Sequence, residues 1–332
     1  MRRMLVLALI LVLVAVSTLP AVAQQAGSQW KPEVKFIKIG VSSAGGDWFR
    51  AGAKFSTIIP TVFPEVAAST VIGGGVVNVT RIGKGETQIG FALTPYPEQG
   101  YKGETKNYPA PLKNVRLIAS NLGRHVVVAM VVLKDSPIKS INDLKGKRIV
   151  PGDRGWGTTE LVEALLATNG TSVDKFKADG GTISYTSITD RSKALQDKNV
   201  DAIFIPAQVN FPDLMAVQQA AGIRVIGFPN DVVEKTLATM PGLVKSKVPK
   251  GLYGVVDQDL ASPGFLQQLI VDAGLSDELV YRITKLWWER IKEIHEIAPG
   301  LDQANVKLAM ENATIPFHPG ALRYYKEVGV AR

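Results

Sequence analysis

A parallel-rich α/β fold is predicted by three features of the chain. Short β-branched runs alternate with helix-patterned stretches over most of its length. Two glycine-rich loops, 42–49 and 152–157, each follow a strand-like run and precede a helical one, where ligands of open α/β sheets bind. The 332 residues are 46% hydrophobic and 20% charged, which is globular material enough for about two domains.

The stretch Asp143–Gly170 carries the clearest local signals. Ser140 and Asp143 have the spacing of a capping box, with Asp in place of Glu or Gln. Gly146 ends that turn, and Lys147 to Val150 reads as a strand entering a core. Gly152, Gly155 and Gly157 surround Trp156 and let the backbone turn sharply. Thr158 or Thr159 is placed to cap the helix that follows, Glu160 suits its first turn, and Asn169-Gly170 stop it. A strand, a glycine loop and a helix N-terminus together make a seat for a carboxylate or phosphate; an ordinary tight βα turn has the same pattern.

The other elements follow in order. Phe36 to Val41 is a buried strand ending in Ser42-Ser43-Ala44-Gly45-Gly46-Asp47-Trp48-Phe49, then a helix to about Pro60. Ala67 to Ile72 is a strand, Gly73-Gly74-Gly75 a turn, Val76 to Ile82 a helix, and Gln88 to Leu93 a strand ending at Thr94-Pro95-Tyr96. Val115 to Leu122 and Val126 to Leu133 are strand-like, as are Thr182 to Ile188, Asp201 to Ile205 and Ile223 to Phe228, with helices over Asp190 to Lys198 and Asn210 to Ala221. Val232 to Pro263 reads as loop-rich, and Ser276 caps a long amphipathic helix through about Ile297 that buries the Trp287-Trp288 pair.

The N-terminus is patterned as an export signal: Arg2-Arg3, an apolar run from Leu5 to Val16, and Ala21-Val22-Ala23 as the cleavage site. The expected mature protein starts after residue 23 and is retained in a periplasm. With no cysteine in the chain, disulfides, thiol catalysis and a lipid-modified N-terminal cysteine are excluded. The net charge of +8 is scattered, without an aromatic-interleaved basic run, so nucleic-acid binding is not expected. His125, His295 and His318 lie too far apart in sequence for a histidine metal site, and neither GxSxG, P-loop nor HExxH occurs. No catalytic apparatus and no cofactor are expected.

Four segments resemble one family, the solute receptors of TRAP transporters of the TAXI type. They are Ser43 to Phe49; Asn78 with Ile82 and Gly85-Glu86-Thr87-Gln88-Ile89-Gly90; Asp143-Leu144-Lys145-Gly146-Lys147-Arg148 leading to Gly155-Trp156-Gly157-Thr158; and the terminal His318-Pro319-Gly320-Ala321-Leu322-Arg323-Tyr324-Tyr325-Lys326-Glu327-Val328-Gly329. The likeness covers nearly all of the mature chain, and the terminal segment is its most specific part. It implies a type II periplasmic binding-protein fold, two α/β lobes with a ligand cleft between them. Lobe one would hold 33–130 plus 256–332, and lobe two 131–255. It further implies a monomer that captures a small organic anion, such as glutamate or a related dicarboxylate or keto acid, and delivers it to membrane permease subunits. A ligand-sensing partner of a membrane receptor, or an enzyme on the same fold, would share these features. Two positions depart from the family pattern: Trp156 stands where a small residue is usual, and Gly74-Gly75-Val76 where Gly-Ser is usual.

Candidate ligand contacts follow. In the first lobe they are Ser43, Gly45, Gly46, Trp48 and Phe49; in the second, Trp156, Gly157, Thr158 and Thr159, whose amides and hydroxyls would hold a carboxylate. Thr94 and Tyr96 at one strand end, and Pro206, Ala207 and Gln208 at another, complete the set. Arg124 and Arg154 are possible partners of an acidic solute. Asn78 is expected to tie a turn, and His318 to fix the C-terminal segment.

Overall fold

A computed structural model describes residues 30–332 other than 104 and 208; the expected leader, residues 1–23, lies outside them. β1 (Phe36–Val41) leads through α1 (Asp47–Val62) to β2 (Ala67–Ile72), which pairs parallel with it. Next, α2 (Gly75–Gly83) leads to β3 (Ile89–Leu93), parallel on the other side of β1. Then α3 (Tyr96–Lys102) and β4 (Val115–Ala119) complete this part of the chain.

The chain crosses to a second sheet with β5 (Val126–Leu133), β6 (Arg148–Gly152), α4 (Gly157–Thr168) and α5 (Val173–Ala178). β7 (Thr182–Tyr185), α6 (Ile188–Gln196), β8 (Ala202–Pro206), α7 (Pro212–Ala221) and β9 (Ile223–Ile226) follow. This region ends with α8 (Asn230–Thr239), β10 (Val244–Val248) and β11 (Leu260–Phe265). The chain returns to the first sheet as β12 (Gln267–Asp272) and closes with α9 (Asp277–Glu289), α10 (Ile291–His295) and α11 (Pro319–Glu327).

The first sheet has the order β2-β1-β3-β12-β4, and the second β10-β11-β5-β8-β6-β7, with β9 also on β5. Parallel pairing holds where β/α units alternate, at β1 with β2 and β3 and at β6 with β7 and β8. The strands beside the crossings are antiparallel: β12 runs against β3 and β4, and β5 against β8 and β11. The result is the expected two-lobed α/β architecture, and Pro32–Arg332 form one compact unit. β5 already starts at Val126 and β11 runs on to Phe265, so strands of the second sheet extend beyond the expected 131–255 at both ends. The crossings fall at 120–125 and at Leu266.

Side-chain patterning explains these placements. β5, VVVAMVVL, is buried on both faces as a central strand must be, and so reads as an unbroken apolar run. Trp48, Ala51, Phe55, Ile58 and Ile59 recur at helical spacing and turn one face of α1 inward. There Phe55 meets Trp287 of α9 edge-on at 5.1 Å, and Phe91 of β3 meets the same indole at 5.9 Å. Trp287 is fully buried, in line with the expected core role of the pair. Two local readings are corrected. The stretch 232–263 is not loop-rich but carries most of α8, all of β10 and the start of β11. The last long helix does not reach 297: Arg290, at φ −105° and ψ 11°, leaves the helical conformation and separates α9 from α10.

Two polar residues fasten the frame. Asn78 of α2 donates through Nδ2 to the carbonyls of Val41 and Phe91, at 3.2 and 2.9 Å, tying β1 to β3. His318 accepts from Gly320 N at the start of α11 and contacts the Leu275 carbonyl at 3.1 Å with its other ring nitrogen. Among the described residues no helix is long and apolar enough to cross a membrane, and no group of His, Cys, Asp and Glu is placed to hold a metal.

Candidate functional site

Three helices begin at one cavity. α1 starts behind Gly46, α2 behind Gly74 and α4 behind Trp156, and none of the three has a side chain hydrogen-bonded over its first turn. Gly46 and Gly74 have no side chain to offer. Trp156, not Thr158 or Thr159, holds the N-cap position of α4, so the expected threonine cap does not form. Thr159 instead donates its hydroxyl to the Asp153 carbonyl at 2.6 Å. The leading N–H groups of all three helices are thus left for a ligand.

The cavity measures about 70 Å³. Ser42, Gly46, Asp47 and Trp48 line it from the end of β1 and the start of α1, and Gly74 and Gly75 from the start of α2. Leu93 ends β3 and Val126 begins β5 on its wall. The second sheet contributes Trp156, Gly157 and Thr158, with Ile188 and Phe211 at the starts of α6 and α7. Gln267, at the return crossing, completes the lining. The ends of 42–49 and 155–159 therefore face one shared space from opposite sheets.

The two lobes touch around this space. Tyr96 of α3 donates its hydroxyl to the Gly157 carbonyl at 3.1 Å, and Asn107 Nδ2 donates to Glu160 Oε1 at 2.7 Å. A Cβ added to Gly157 would lie 2.4 Å from Tyr96 Cε2, and one added to Gly74 would lie 2.9 Å from Trp156 Cδ1, so glycine permits both approaches. Burial raises the Tyr96 phenol well above its usual value, which keeps it a proton donor. Burial also raises the Glu160 carboxyl, against the lowering effect of Asn107 and Tyr96.

Gln267 organises the floor. Its Oε1 accepts from the Trp48 indole at 2.7 Å, and its Nε2 donates to the carbonyls of Arg124 and Gly300, each at 2.8 Å. Trp48 also stacks on Phe91, with ring centroids 5.5 Å apart. Asp47 is paired with Arg50 at 2.5 Å, yet burial outweighs that partner and raises its carboxyl pKa. Among the described residues Asp47 is the one ionisable side chain in the lining.

Of the sequence candidates, Gly46, Trp48, Trp156, Gly157 and Thr158 come together at the cavity. Ser43 and Gly45 lie in the turn beside it, where Ser43 O accepts from Gly46 N and Gly45 O from Arg50; Ser42 lines the cavity instead. Phe49 is half-buried on α1 and outside the lining. Thr94 is consumed by the backbone, its hydroxyl accepting from Leu266 N at 3.0 Å. Tyr96 stands behind Gly157, Thr159 is buried against Asp153, and Pro206 is buried within β8; none lines the cavity. Gln208 lies outside the described residues. Arg124 is paired with Asp302 at 2.6 Å, and Arg154 lies over the Tyr185 ring at 4.1 Å.

Ser42, Asp47, Gly74, Gly75, Leu93, Val126, Ile188, Phe211 and Gln267 were missed. Gly74-Gly75 did carry a signal, since this triple glycine is where the chain leaves the family pattern. Gln267 carried none, because its partners arrive from 124 and 300 only through the tertiary fold.

Solved structures share this architecture. A Xanthomonas citri protein bound to ATP aligns with a TM-score of 0.50 at 11% identity, covering 90% of this chain and 97% of that one. The periplasmic aliphatic sulphonate binding protein of Escherichia coli aligns at 0.44 and 16% identity, covering 81% and 79%. An ancestral arginine-binding protein bound to arginine aligns at 0.46 and 15%, covering 80% and 98%. At such identities the likeness concerns the fold alone. In sequence, the model of the NMT1-like family matches residues 39–329, and the chain belongs to that family.

Proposed function

We propose that this protein is an exported solute receptor of a TAXI-type TRAP transporter, which closes its lobes over a small organic anion and presents it to the membrane permease. One observation carries the reading: the uncapped N-termini of α1, α2 and α4 converge on one cavity from both lobes. A partly buried helix N-terminus stabilises a negative charge by up to about 2 kcal/mol. Three of them exceed what a single neutral hydrogen bond, about 1 kcal/mol, contributes.

Closure supplies the mechanism. Residues 42–48 and 74–75 belong to one lobe and 156–158 to the other, so an anion reaches all three helix ends only when the lobes meet. Contacts made solely in the closed state shift the population toward it. The cavity favours receptor over catalyst, because the one ionisable side chain among its described lining residues, Asp47, is occupied by Arg50. The proposed lobes are 32–122 plus 266–332, and 123–265, following the crossings. The proposed setting is the periplasm.

Calorimetry of ligand-stripped protein against amino acids, dicarboxylates and keto acids tests this. One class binding tightly is expected; a protein that no small anion binds or stabilises is not such a receptor.

A further inference from the structure

Arg191 sits on α6 at the cleft end of the second sheet. α6 opens with Ile188, which lines the cavity, and helical side chains lean toward the N-terminus of their helix. The guanidinium lies behind the cavity wall formed by Trp156, outside the lining itself. There its Nη1 contacts the Thr186 carbonyl at 3.4 Å, and its Cζ lies 5.9 Å from the indole of Trp156. A Cβ on Gly152 would approach Nη1 to 3.1 Å, so glycine keeps that space open.

The side chain is only 1% exposed, and both Nε and Nη2 lack a hydrogen-bond partner. Among the described residues no carboxylate forms a salt bridge with it, and Asp153 favours its charge only from a longer distance. Burial pushes its pKa down to about 10, so it still carries its charge at neutral pH. A buried cation with idle donors is costly and calls for a partner. Over it stands Trp156, a half-buried indole flanked by Gly155 and Gly157.

Resting on the receptor reading above, the geometry points to Arg191 as the counter-charge that selects the solute. When Trp156 turns aside, Nε and Nη2 take two oxygens of one carboxylate whose far side faces the amides of α4. The other walls define the rest of the molecule. Leu93, Val126, Ile188 and Phe211 are apolar, and among the described residues no Lys or Arg lines the cavity. With the Trp156 indole in place the cavity measures about 70 Å³, and turning it aside enlarges that space toward Arg191. The class selected is a monocarboxylate with an apolar body rather than a dicarboxylate.

The test uses ligand-stripped full-length mature protein and calorimetry with propionate, butyrate, pyruvate, 2-oxobutyrate, succinate and glutamate. The tightest monoacid is then compared with its neutral amide. Wild type is expected to prefer the acid by at least about 100-fold, and Arg191→Met to bring that ratio to within about threefold of unity. Arg191→Lys, which keeps the charge and loses the fork, is expected to lower the ratio about tenfold. A folded Arg191→Met with the wild-type ratio overturns the inference; should that variant not fold, an unchanged ratio in Arg191→Lys does so. Succinate or glutamate binding more tightly than every monoacid overturns the monocarboxylate class. If no acid binds the wild type, the receptor reading itself falls, and this one with it.

Discussion

The indole nitrogen of Trp48 donates to Gln267 Oε1 at 2.7 Å, linking the first turn of α1 to the strand that returns from the second lobe. The same amide also donates to Arg124 O at the other crossing and to Gly300 O. One side chain therefore holds a cavity wall and both crossings in register.

Replacing Gln267 by Leu removes three hydrogen bonds, two of them buried, and leaves the Trp48 N–H and two carbonyls without partners. Each such group costs about 1–3 kcal/mol, and partial relaxation brings the expected loss to about 2–4 kcal/mol in urea unfolding. A loss below about 0.5 kcal/mol contradicts the assigned role.

Gly157→Ala tests closure separately from folding. The new methyl would meet Tyr96 Cε2 at 2.4 Å, and Tyr96 is fully buried and cannot yield. This clash arises only when the lobes meet, so the overpacking cost of about 1–3 kcal/mol falls on the closed state. Calorimetry should show solute affinity reduced about 5- to 100-fold, with the melting temperature of the ligand-free protein little changed.

Glu160 gives a pH signature. Its pKa is raised by burial, so the folded protein binds that proton more readily than the unfolded chain does. Its contribution is therefore most favourable below the ordinary value of 4.5 and is lost as the pH rises through the raised one. Glu160→Gln is expected to melt higher than wild type at pH 7, with the gap narrowing toward pH 4.5. A gap that is the same at both pH values would show that the carboxyl is not penalised by burial.

The Trp156 indole takes up room at the second-lobe wall of the cavity. Trp156→Ser removes the indole and opens the second-lobe wall. Each additional methylene buried is worth about 0.8 kcal/mol, so an acid longer by two carbons should gain about tenfold relative to the shorter one. Competition binding with a homologous series of acids measures this shift.

The fold was legible because its signals are local. The apolar run of β5, the glycines around Trp156 and the spacing of Trp48, Phe55 and Ile59 each declare themselves within a few residues. The site was legible only at its loops. Ile188 and Phe211 look like ordinary apolar residues at helix starts, and become cavity walls because β7 and β8 end at the same edge. Thr159 looked like a cap, but the chain places Trp156 at that position and turns the threonine to Asp153. Val232 to Pro263 looked irregular because β10 alternates lysine with small residues, as an edge strand exposed on one face can.

The central claim is that the two lobes close on one anion, and a distance between them reads it directly. The chain has no cysteine, so spin labels can be placed at Glu65→Cys and Asp174→Cys, both exposed and one on each lobe. Pulsed electron resonance on ligand-stripped protein should give a broad or long distance that becomes a single shorter one when a bound carboxylate saturates the site. Identical distance distributions with and without that carboxylate would contradict closure.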